Sequence, residues 1–150
     1  MNTAQRIRTR HHFVTGLVLY SVLAWPPVQA ETIDCTAITS LPYTITTQGI
    51  YCFAGNLSTS MAMGNAINIQ ANNVTLDLNG YKLGGLAAGD GTQAYGIYAY
   101  QRKNITIKNG IVRGFYIGIS LEETSLLTTS SGHVVAGILA DQNTNFWYRG

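Results

Sequence analysis

Charge is scarce in this chain and cysteine scarcer still: 150 residues hold nine Lys or Arg, seven Asp or Glu, and two Cys. Long apolar runs are also lacking, the one notable stretch being "FVTGLVLYSVLAW" at 13–25. Each shortage excludes something. Thirteen apolar residues fall short of the roughly 20 that a membrane-spanning helix needs, and no later segment is long or apolar enough either. With Arg6, Arg8 and Arg10 ahead of it, and Val28 and Ala30 behind, the run reads as a secretory signal peptide. It covers residues 1–30, with cleavage after Ala30. Three of the nine basic residues leave with it, so six face seven acidic ones and the mature chain sits near −1. The formal charge of +2 therefore carries no message about nucleic acid, whose binding faces cluster Lys and Arg. A secreted or periplasmic protein with no membrane span after cleavage is expected.

Both cysteines, Cys35 and Cys52, lie in the exported part. A metal pair and a redox pair are alternatives, but the spacing is not CxxC and the one mature histidine, His133, is distant. In an oxidising compartment two such cysteines pair. A bridge over this separation is worth about 3 kcal/mol in the chain-entropy model. The chain also has no metal-spacing motif, phosphate-binding loop or nucleophile elbow.

What is present is one phrase written twice. Residues 72–85 read "NNVTLDLNGYKLGG" and residues 103–115 read "KNITIKNGIVRGF". Val74, Leu76 and Leu78 alternate with Thr75 and Asp77; Ile105 and Ile107 alternate with Thr106 and Lys108. Period two marks strands with one buried face. Asn79-Gly80 and Asn109-Gly110 follow, residues that supply positive φ at a sharp bend, and a short strand with Leu83 or Val112 comes after each. Upstream lie further alternating strands, "AINIQ" at 66–70 and "YGIYAY" at 95–100, with a third version, "YIGISLE", at 116–122. Ile67 to Ile97 is thirty residues and Ile97 to Ile119 twenty-two, and self-similarity at such a period with strands alone marks a solenoid and excludes helical repeats.

On these phrases the mature chain resembles the start of a right-handed parallel β-helix of the pectin-lyase-like superfamily, most closely secreted proteins with parallel β-helix repeats. The resemblance spans about residues 40–143. It implies an all-β fold of about three coils over 65–150, in which the Asn at the second bend stacks on its counterpart in the next coil, the role of Asn79 and Asn109 here. Residues 31–64 lack the repeat and are expected to form an N-terminal cap holding the disulfide. At the other end "NTNFWYRG" begins a further first strand, with Trp147 where a small residue is usual, and the chain reads as truncated there. If the coils stack, outward Asp77 lies beside outward Lys108.

The resemblance also implies a groove for acidic polysaccharide along one sheet. Outward positions of the first strands give Asn68 and Gln70, then Tyr98 and Tyr100, then Ser120 and Glu122, with Arg102 and Lys103 at the adjacent turn. Sugar faces lie on tyrosine rings while amides and carboxylates bond hydroxyls, and a basic residue holds a uronate carboxylate. An ordinary solvated face rich in strand-forming tyrosine is the plainer alternative. Catalytic residues are not legible. A lyase or hydrolase is what the family implies, with calcium possible through that resemblance alone, yet Asp77, Asp90, Glu122, Glu123 and Asp141 are widely spread. Calcium asks for converging oxygens, and a glycosidase asks for two carboxyls flanking one bond. A non-catalytic surface or adhesion module, or a fragment without function, are the competing expectations. Sequons stand at Asn56, Asn73 and Asn104, the last two also being what a repeating strand start spells.

Overall fold

The computed structural model describes residues 34–123 and 130–149; the expected signal peptide lies outside them, as does the middle of the 122–132 loop. The chain builds an all-β parallel solenoid of about three turns. One column of parallel strands comprises β2 (Tyr43–Ile45), β5 (Asn65–Ile69), β8 (Tyr95–Tyr100), β10 (Ile117–Glu122) and β12 (Phe146–Arg149), each hydrogen-bonded to the next. A second column comprises β1 (Thr36–Ile38), β3 (Gly49–Phe53), β6 (Val74–Asp77), β9 (Ile105–Arg113) and β11 (Val134–Asp141). A third holds β4 (Leu57–Ser58), β7 (Lys82–Gly84) and the far half of β9. No helix among the described residues is long and apolar enough to cross a membrane.

The repeated phrase fixes the register. Val74 pairs with Ile105, Thr75 with Thr106, Leu76 with Ile107 and Asp77 with Lys108, all in parallel. In the first column Ile67 stands on Ile97 and Ile97 on Ile119. These inward side chains, with Ile45, Ile69, Val74, Leu76, Ile105, Ile107, Leu83 and Val112, are buried. Each buried aliphatic of this size contributes roughly 1.5–3 kcal/mol, and a one-residue slip would carry a whole set to the solvent face. Like sits on like because every coil writes the same alternation.

Residues 31–64 show no repeat in sequence, yet four short strands within them stack. Tyr43–Ile45 registers on Ile67–Ile69, Gly49–Cys52 on Val74–Asp77, and Leu57–Ser58 on Leu83–Gly84. A shorter coil thus precedes those legible in the sequence, and β1 lies outermost, pairing with β3 through Thr36–Ile38. The disulfide joins Cys35, just ahead of β1, to Cys52 in β3, with Cα atoms 5.8 Å apart. The bends differ as well. Asn79 (φ 52°) and Gly80 (φ 79°) both take left-handed conformation and end β6, whereas Asn109 (φ 56°) sits inside a strand that runs on through Gly110. A Cβ on Gly110 would come within 2.6 Å of the Tyr81 carbonyl and strike Leu78 as well. One glycine serves the turn; the other serves close packing.

Candidate functional site

The outer face of the first column carries a cleft of about 410 Å³ lined by Asn68, Ile69, Gln70, Tyr98, Tyr100 and Arg102. Alternation puts Asn68, Gln70, Tyr98 and Tyr100 there. Asn68 pairs with Tyr98 across β5 and β8, and both flank inward residues that are buried, Ile67, Ile69, Ile97 and Ala99. Tyr100 ends β8 and is 36% exposed. Arg102 lies beyond it in the turn, where its Nε donates to the Tyr100 carbonyl at 2.8 Å and its Nη1 to the Gln70 carbonyl at 2.9 Å. Two of the five guanidinium N–H groups are thus spent on holding the side chain, and the rest of the fork is left to meet an anion.

Of the remaining sequence candidates, Lys103 is exposed at the turn but does not line the cleft; its backbone N–H donates to Asn72 Oδ1 at 2.9 Å. Ser120 follows Tyr98 in its column yet is fully buried, and its hydroxyl donates to Glu122 Oε1 at 2.7 Å. Strict alternation makes Ser120 an outward residue. Its burial removes it from any exposed face. Glu122 stands beside Tyr100 in register and is partly buried. The Tyr98 phenol is pushed above its ordinary value, first by burial and then by the Glu122 charge, with a hydrogen bond to the same carboxylate.

Compared with protein-family models, curated proteins and solved structures, the chain has no match. What it does must therefore be argued from its own side chains.

The charged pair expected on the second column forms: Lys108 Nζ lies 3.2 Å from Asp77 Oδ2. Burial raises the Asp77 pKa, but the Asn79 N–H at 2.8 Å, Lys108 and Asn109 together outweigh it and hold the carboxyl below its ordinary value. Such a cross-strand pair is worth about 0.2–1 kcal/mol, less when exposed and screened by salt. It lines a second cleft of about 340 Å³ with the disulfide, Ile50, Thr75 and Asn79. The Asn109 amide is spent on Asp77, at 3.3 Å from both oxygens. Side-chain amides do stack, but one bend earlier: Asn104 Nδ2 donates to Asn73 Oδ1 at 2.8 Å, and Asn73 Nδ2 to Gln48 Oε1 at 3.4 Å. The amide opening each "NVT" or "NIT" phrase was the signal for that ladder.

Sequence reasoning also missed a cluster behind Arg102. His133 Nδ1 accepts from the Ile105 N–H at 3.3 Å, and its Nε2 meets Ser130 Oγ at 2.6 Å. Ser130 Oγ in turn donates to the Arg102 carbonyl at 3.0 Å. An Nδ1 that accepts places the ring proton on Nε2, so His133 donates to Ser130 and cannot, as placed, take its proton. Burial holds the His133 pKa below its ordinary value. This is a brace for the turn, not a base for a nucleophile. Among the described residues no three His, Cys, Asp or Glu side chains gather in the manner of a metal site.

Proposed function

We propose that the protein is an exported β-solenoid that binds polysaccharide on the outer face of its first strand column. One observation supports this above the others: a single cleft combines two tyrosines, the amides of Asn68 and Gln70, and a guanidinium pre-fixed by backbone carbonyls. Rings take the apolar faces of sugars, amides take hydroxyls, and a fixed fork takes a carboxylate with little ordering cost. An acidic polysaccharide fits that set. Export agrees with the leader-like N-terminal sequence and with a disulfide, which persists in oxidising compartments.

A glycan array tests the reading. Binding of uronate-rich chains should fall about fivefold to tenfold for Tyr98→Ala and for Tyr100→Ala, in keeping with one lost ring contact each. Unchanged binding in both would remove this face from consideration. The lyase or hydrolase activity that the pectin-lyase-like resemblance implies is a separate matter. Unsaturated uronate products from pectin or alginate, with and without calcium, would support it; their absence alongside intact binding would favour a non-catalytic surface module.

A further inference from the structure

Along the solenoid axis the cleft stops. The next residue in the Asn68–Tyr98 column, Ser120, is fully buried, and Glu122, beside Tyr100, accepts the Ser120 hydroxyl. Along the strand the aromatic surface goes on. The Tyr95 ring, at the start of β8, has its centroid 5.3 Å from that of Tyr98 at an interplanar angle of 64°. Tyr116, just ahead of β10, lies 6.4 Å from Tyr95 at 81°. All three are half-buried. Edge-to-face rings hold one another in place, so the ridge is rigid before any ligand arrives. Tyr95 to Tyr100 is five steps of strand, or about 16 Å at about 3.3 Å per residue, room for roughly three linked pyranose rings.

We infer that this ridge sets the direction of the ligand: an acidic oligosaccharide lies along β8, across the solenoid axis, with a carboxylate on Arg102 and its other end on Tyr95 and Tyr116. The inference rests on the reading of this face as a saccharide site and adds two subsite residues to it. Alternation does not pick them. Tyr95 stands in register with the buried Ile117, and Tyr116 lies outside the strands. It also makes chain length a determinant of affinity, since a short ligand anchored at Arg102 does not reach the far rings.

Calorimetric titration of the whole protein with uronic acid homo-oligomers, dimer to hexamer, tests this, with glucose oligomers as the neutral control. Uronide affinity is expected to climb to the trimer or tetramer and then level. Tyr116→Ala should remove about fivefold from tetramer affinity, one ring contact, and leave dimer affinity within about twofold. In the unsubstituted protein, the ring resonances of Tyr95 and Tyr116 should shift with tetramer and stay still with dimer, a readout that does not depend on how the variant folds. Uronides that bind while Tyr116→Ala is silent at every length and those resonances stay fixed would overturn the orientation and leave the binding site standing. Uronides that fail to bind at any length would remove both.

Discussion

His133 sits between a backbone donor and a hydroxyl, and only its neutral form suits both. Protonation would place a second N–H on Nδ1, facing the Ile105 N–H. Beside it, Glu123 Oε2 accepts the Ser130 N–H at 3.0 Å and the Arg102 carbonyl accepts the Ser130 hydroxyl. With the folded pKa held below the ordinary 6.5 by burial, the unfolded chain takes up its proton first as pH falls. The stabilisation is therefore fully present above pH 6.5 and is lost as pH drops through the folded value. Asp77, also depressed, behaves likewise but only below its own ordinary 3.8. Denaturant melts between pH 5 and 8 should show stability falling on the acid side, and His133→Gln should flatten that slope. A wild-type curve flat across this window would contradict the account.

At the scale of one strand, β9 shows what was legible and what was not. The alternation in "ITIK" and its match to "VTLD" predict the pairing of β6 with β9 residue for residue, because buried aliphatics on one face leave one register. Its unbroken run through Asn109-Gly110 was not legible, since the same dipeptide ends β6; nor was the difference in surroundings, a Cβ on Gly110 striking Leu78 and the Tyr81 carbonyl where one on Gly80 would meet open space. Gly110→Ala should accordingly cost about 1–3 kcal/mol as overpacking in denaturant unfolding. Gly80→Ala, with open space around its Cβ and a φ of 79°, should cost about 1 kcal/mol or slightly more through strain alone. Equal losses would mean that the two bends are equivalent after all. The coil of β2, β3 and β4 escaped notice because Gln48-Gly49-Ile50 stands where the next coil has Asn73-Val74-Thr75, with a longer amide and no β-branched residue at the inward site. Of the site, Tyr98 and Tyr100 followed from alternation and Arg102 from its place in the turn after β8. The burial of Ser120 and the rings of Tyr95 and Tyr116 depend on neighbouring coils and on turn geometry, which period two does not encode.

Over the whole molecule, stability is a sum of coil-to-coil contacts, and the shortest register lies on the N-terminal side, where β4 pairs with β7 through two residues; β1 pairs with β3 through three, against seven for β9 and β11. Among the described residues β1 has one neighbour, β3; the Cys35–Cys52 bond ties it there. Cys52→Ser, or reduction, should lower unfolding free energy by about 3 kcal/mol. Hydrogen exchange should show the gain in opening concentrated in Thr36–Phe53 while Ile105–Leu121 stays protected, as expected for a repeat array that frays from its end. Uniform loosening would instead show that the bridge supports the whole stack. The amide ladder has a further bearing on biosynthesis. In the folded chain the Asn73 and Asn104 nitrogens are already donating, whereas Asn56 is engaged through its oxygen, which accepts the Lys82 N–H at 2.9 Å. A glycosylating enzyme that meets the finished protein should therefore favour Asn56, where the nitrogen need not first leave the ladder, and glycopeptide mass spectrometry would show the preference.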